Sequence, residues 1–166
     1  MYFLNVLIGL FVFYLYDHNW KQKLNIFSIN IEVSLEKFNE TILEADVIVG
    51  HNVSFDIKMV MVELKRNNKE QIFSNSSGYG IKEFCTMKKS VNICKILKTK
   101  ENGDTYYKYP SLSELHINLF ETQPNGTHDS MADVLICLRC YCKIIHNNDV
   151  LKKCKSLKNL YELYCN

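Results

Sequence analysis

The chain has 166 residues, 47% hydrophobic, 23% charged and 12% aromatic, with a formal net charge of +2. That is the profile of a single globular domain with enough apolar residues to bury a sizeable core. With two prolines and six glycines it is neither collagen-like nor low-complexity, and its charge excludes a strongly basic nucleic-acid arm or an acidic tail while leaving room for a local basic groove.

Lysine outnumbers arginine 18 to 2, beside 17 asparagines. This is the skew of AT-rich coding, as in many large DNA viruses and some protists. The seven cysteines are an odd set, so they read as reduced and mostly buried, without disulfide partners, in an intracellular compartment (cytoplasm or nucleus).

In chain order, Tyr2 to Tyr16 comes first, apolar except for Asn5 and Gly9. Fifteen residues fall short of the about 20 that span a bilayer as a helix. No basic residue precedes the run and no small-residue cleavage site follows it, so a signal peptide is poorly supported. Its Val, Ile, Phe and Tyr content predicts two buried strands broken at Gly9, with a membrane anchor as the competing reading. A strand from Leu24 to Ile31 follows. Ser34 then opens a helix carrying Leu35, Phe38, Ile42 and Leu43.

Asp46 to Gly50 reads as a buried strand, and a second helix runs from Ser54 to about Arg66. Residues 67–82 read as a loop. Phe84 to Met87 reads as a short strand, 88–94 as a short helical or irregular piece, and 98–108 as a charged loop. Ser111-Leu112-Ser113-Glu114 is a capping box before another helix. The longest helix is predicted from about His128 to His146, and a last amphipathic one from Leu157 to Tyr164. Strands mixed with helices and no evident linker predict one α/β or α+β domain over 1–166.

Two constellations carry chemistry. In Gly50-His51-Asn52-Val53-Ser54-Phe55-Asp56, a buried strand ends, a polar turn follows and a helix begins. Asp56 in the first helical turn suits Mg²⁺ or Mn²⁺, which take hard oxygen ligands; it equally complements the helix dipole. In His128-Asp129-Ser130-Met131-Ala132-Asp133, helical pitch puts Asp129 and Asp133 on one face and His128 about 140° round from Asp133. His128 converges with Asp133 only from the loop entering the helix, where it suits a general base. The plainer reading is that Asp129 and Ser130 cap the helix. Cys137 and Cys140 have zinc-knuckle spacing, but no second cysteine pair stands at a zinc-finger distance, so they read as packed helix residues.

Together and in order, these segments resemble the DEDDh exonuclease superfamily, which includes the proofreading subunit of bacterial replicative DNA polymerase. Residues 46–56 resemble its second motif and 128–133 its third. Phe84-Cys85-Thr86-Met87, Tyr109 to Leu115 and Leu119-Phe120 resemble its connecting segments, so the likeness covers roughly 34–145. The resemblance implies a ribonuclease H-like mixed sheet with helices on both faces. It implies 3′–5′ hydrolysis of a phosphodiester at a single-stranded 3′ end of DNA or RNA, with room for a polymerase as partner. It further implies two divalent ions, Mg²⁺ or Mn²⁺, with Asp56 and Asp133 as metal ligands, His128 as general base and Asn52 supporting the motif-two turn.

The family's first motif, Asp-x-Glu, is missing. Before Glu32 the only carboxylate is Asp17, and two residues on stands Asn19. Asn30-Ile31-Glu32 resembles the motif with Asn for Asp, which makes Glu32 a weak substitute only 24 residues before Asp56. The region before residue 34 therefore reads as shortened or rewritten. Two functional readings follow: an exonuclease with an incomplete carboxylate set, or a catalytically inactive nucleic-acid-binding relic with Lys58, Lys88, Lys89 and Lys108 as phosphate contacts.

Overall fold

A computed structural model describes residues 6–8, 31–70, 73, 80–126 and 129–165. The chain divides into two compact units: residues 1–49 with 53–84, and residues 50–52 with 85–166. Each is described by itself.

The first unit is a βαβ-type arrangement. Strand β1 (Val6–Ile8) pairs in parallel with β2 (Val47–Gly50), in the register Val6 with Val47, Leu7 with Ile48 and Ile8 with Val49. Strand β3 (Lys82–Cys85) completes a three-stranded sheet in the order β1-β2-β3. The central strand is buried at all four positions. A parallel strand covered on both faces needs an unbroken apolar run, which Val47-Ile48-Val49 supplies.

Helix α1 (Ile31–Leu43) crosses over between β1 and β2, and α2 (Val53–Arg66) lies between β2 and β3. On α1, Leu35, Phe38 and Ile42 are buried at helical spacing; on α2, Val53, Val60 and Leu64 are. Two sequence expectations are corrected here. The helix opens at Ile31, not Ser34, because Ile31 stands four residues before Leu35 and carries the apolar spacing back one turn. Ser34 is buried inside it, and Ile31 ends no strand. Within the run predicted as strand from Tyr2 to Tyr16, Val6–Ile8 forms β1; the rest of that run, and residues 24–30 of the next predicted strand, lie outside the described residues. No described helix is long and apolar enough to cross a membrane.

The second unit is mostly helical: α3 (Thr86–Lys89), α4 (Val91–Cys94), α5 (Leu112–Phe120), α6 (Ser130–His146), a 3₁₀ turn (Val150–Lys152) and α7 (Lys155–Cys165). Its core joins Leu115 of α5, Ala132, Leu135, Ile136 and Cys140 of α6, and Tyr161 and Cys165 of α7. The predicted capping box is present. Ser111 Oγ accepts from the Glu114 N–H at 3.2 Å, and Glu114 Oε2 accepts from the Ser111 N–H at 2.7 Å. The predicted strand at 84–87 is shifted: β3 ends at Cys85, and Thr86 begins α3.

The charged loop expected over 98–108 is instead a hairpin of β4 (Leu97–Thr99) and β5 (Thr105–Tyr107). The Gly103 N–H donates to the Lys100 carbonyl, the Lys100 N–H to the Asp104 carbonyl, and Gly103 sits at φ 88. A tight turn closing on a left-handed glycine aligns two strands without splaying them. Asn102-Gly103 is the sequence signal for it.

Beneath α6 a polar cluster ties four elements together. Arg139 donates Nε–H to Asp149 Oδ1 at 3.1 Å and Nη2–H to Asp149 Oδ2 at 2.7 Å. Its guanidinium lies 3.9 Å from the Phe120 ring centroid. His116 gives its Nδ1 proton to the Thr122 carbonyl at 2.9 Å. Its Nε2 is thus an acceptor, 2.9 Å from Tyr161 Oη and 3.1 Å from Arg139 Nη1. Burial, with the neighbouring guanidinium, holds this imidazole below its ordinary pKa, so it stays neutral.

Candidate active site

The motif-two turn belongs to the second unit. Asn52 has φ 82, a left-handed conformation that asparagine tolerates better than most side chains. His51 is held from two directions. Its Nε2–H donates to the Pro110 carbonyl at 3.0 Å, and its Nδ1 lies 3.0 Å from Thr86 Oγ1. Thr86, fully buried, also lies within bonding distance of the Gly50 carbonyl, at 3.2 Å, and of Cys137 Sγ, at 3.7 Å. Burial lowers the His51 pKa, the Pro110 hydrogen bond opposing it. With Nε2 on the Pro110 carbonyl and Nδ1 against the Thr86 hydroxyl, His51 fastens the turn. Sequence reading passed over it because its partners lie 35 and 59 residues away.

Asp56 stands in the first turn of α2, in the first unit. Burial pushes its carboxyl up to about 7. A desolvated carboxylate at a helix N-terminus is destabilised as an anion unless a cation offsets it. That donor chemistry fits a hard divalent ion.

In the second unit, Asp129 is the N-cap of α6: its Oδ1 accepts from the Met131 and Ala132 N–H groups at 3.0 and 3.1 Å. Asp129 therefore caps the helix, the plainer of the two readings of that residue. Asp133 is half-buried in the first turn of the same helix. His128 lies outside the described residues. Upstream, the loop is pinned to the end of α7: the Asn125 N–H donates to the Cys165 carbonyl at 3.3 Å, and Gly126, at φ 70, packs against the Tyr164 carbonyl.

Glu32 occupies the first turn of α1, a helix and not a strand. Lys58 is exposed on α2, and Lys88 and Lys89 are exposed at the end of α3. Lys108 is engaged otherwise: its Nζ contacts both Glu114 carboxylate oxygens, at 2.5 and 2.7 Å. Among the described residues, no group of three or more His, Cys, Asp or Glu side chains is placed to hold a metal ion. Asp56 suits such an ion singly.

The model of the exonuclease family matches residues 29–141, about two thirds of the chain. Neither the curated proteins nor the solved structures gave a match. The matched stretch contains the motif-two turn, Asp56 and the start of α6 with Asp133, and members of the family typically use divalent metals. The mixed α/β architecture, with its small parallel and antiparallel sheets, agrees with a ribonuclease H-like exonuclease fold. The chain therefore belongs to the exonuclease family of the DEDD superfamily.

Proposed function

We propose that this protein removes nucleotides from the 3′ end of single-stranded DNA or RNA in a reaction that requires Mg²⁺ or Mn²⁺. The observation that carries the reading is Asp56: a desolvated carboxylate at the first turn after a buried strand, inside the family match. Asp56 and Asp133 would hold the divalent ion, which when bound supplies water activation and charge neutralisation at the phosphate. His128 would take the proton of the attacking water. His51 and Asn52 would fix the turn that leads into α2, the first through its two hydrogen bonds and the second through its backbone conformation.

The test is a 5′-labelled single-stranded oligonucleotide incubated with the purified chain and Mg²⁺, Mn²⁺ or EDTA. A ladder shortening from the 3′ end, abolished by EDTA and by a 3′-terminal phosphorothioate, is expected. Asp56→Ala, Asp133→Ala and His128→Ala should each lower the rate by about 10²-fold or more, the general scale for loss of an acid–base group. A folded protein that leaves the oligonucleotide intact under all metal conditions would rule out the activity and favour an inactive binding protein. Variants that all cleave like the wild type would rule out the assigned residues.

A further inference from the structure

We propose that the β4–β5 hairpin is a binding arm for single-stranded nucleic acid, with a base stacked on Tyr106 and phosphates held by Lys98 and Lys100. The inference rests on the nuclease reading above and names how its polymer is held.

All six strand residues of the hairpin are exposed. Around it, Leu97, Tyr106, Tyr107 and Tyr109 are open to 60%, 43%, 47% and 58%. A two-stranded ribbon is marginal in water by itself, and these exposed rings stand on both of its faces.

The register sorts the residues by face. Lys98 stands opposite Tyr106, while Leu97 stands opposite Tyr107 and Thr99 opposite Thr105. Side chains alternate along a strand, so Lys98, Lys100 and Tyr106 share one face, and Leu97 and Tyr107 the other. Lys100 Nζ lies 5.8 Å from the Tyr106 ring centroid. Asp104 shares that face, but its carboxylate accepts the Asn102 Nδ2–H at 2.7 Å. Lys108 continues the same alternation and is committed to Glu114. Among the described residues, neither Lys98 nor Lys100 forms an ion pair.

Tyr106, with Lys98 opposite it in register and the Lys100 ammonium over its ring, matches a base and its neighbouring phosphates once Lys100 turns from the ring to a phosphate. Single strands offer ring faces for this, whereas duplex bases are already stacked. An uncharged apolar partner would leave both ammonium groups without a counterpart. The ribbon is also joined to the motif-two turn within the second unit. Its second strand runs through Lys108 and Tyr109 into Pro110, whose carbonyl accepts from His51 of the motif-two turn.

The experiment is fluorescence anisotropy of a 5′-labelled oligothymidylate with the full chain in EDTA, so that no cleavage is required. Tyr106→Ala should weaken binding about tenfold, and Tyr106→Trp should restore it. Lys98→Gln with Lys100→Gln should weaken binding and flatten the log-affinity against log-salt slope by about 1.4, the value for two phosphate contacts on a single strand. Tyr107→Ala, on the opposite face, should bind like the wild type. The proposal is overturned if the Tyr106 and lysine variants bind like the wild type, if Tyr107→Ala carries the loss instead, if a blunt duplex binds as tightly, or if the wild-type chain does not bind. Binding through the hairpin without metal-dependent cleavage would sink the enzymatic reading and leave this one standing. Cleavage with hairpin variants unchanged in affinity and KM would do the reverse.

Discussion

At φ 82, Asn52 holds a backbone conformation that a β-branched residue reaches only under strain. Asparagine tolerates it, and glycine is freer still. Asn52→Gly should therefore unfold at nearly the wild-type temperature, whereas Asn52→Val should lose about 1–2 kcal/mol, read as a lower urea midpoint. Equal midpoints for the two variants would show that the turn relaxes. That the chain turns here was legible in the sequence, because a short polar stretch between a buried strand and a helix must bend. The fastening of His51 was not legible. A histidine beside an asparagine reads as a solvated turn residue until Thr86 and Pro110 arrive from distant parts of the chain. Glu32 shows the opposite error. In an Asn-Ile-Glu tripeptide it looks like a remnant of a strand motif, yet it occupies the first turn of a helix whose apolar spacing begins at Ile31.

Helix α7 shows how an element outside the matched stretch bears on one inside it. The match ends at residue 141, while α7 spans Lys155–Cys165. Tyr161 and Cys165 of α7 are buried in the core with Ala132 of α6. Gly126 sits at φ 70, and a Cβ there would run into the Tyr164 carbonyl oxygen and stand 3.2 Å from the Ala132 Cβ. The obstacle is backbone, so it cannot swing aside as a side chain can. Gly126→Ala should cost about 2–3 kcal/mol, combining the left-handed penalty with overpacking. For a chain of this size that lowers the melting temperature by about 5–10 °C. An unchanged melting temperature would mean that the loop is not seated against α7. Helix positions, their apolar faces and the Ser111 box were readable because each rests on spacing within one segment. The β4–β5 hairpin was missed for a related reason: its strands are exposed and lack the apolar alternation that marks a half-buried strand, so only Asn102-Gly103 betrays it.

For the molecule as a whole, buried titratable groups pull stability in opposite directions as pH changes. Burial holds His51 and His116 below 6.5. The unfolded chain takes up protons at these positions before the folded protein does. Their contribution is therefore full above about 6.5 and is lost as pH falls toward their depressed folded values. Asp149 acts lower on the scale. Burial alone would raise its carboxyl, but the Arg139 hydrogen bond and charge outweigh this and hold it below 3.8, so its contribution disappears only in strong acid. Asp56 runs the other way. Its carboxyl, pushed up to about 7, takes a proton in the folded state that the unfolded chain accepts only near 3.8. Acidification from about pH 7 toward 4 therefore adds stability at this one residue, against the loss at the two histidines. In the wild-type chain in EDTA these opposing contributions overlap in that interval. Asp56→Asn removes the opposing group. At pH 8 it should be more stable than the wild type by about 2 kcal/mol, half the full linkage value for a group that keeps some contact with water. On acidification it should fall more steeply and meet the wild-type curve near pH 4. Two parallel curves would show that Asp56 stays solvated in the folded protein, and the observation on which the metal-ligand assignment rests would be withdrawn.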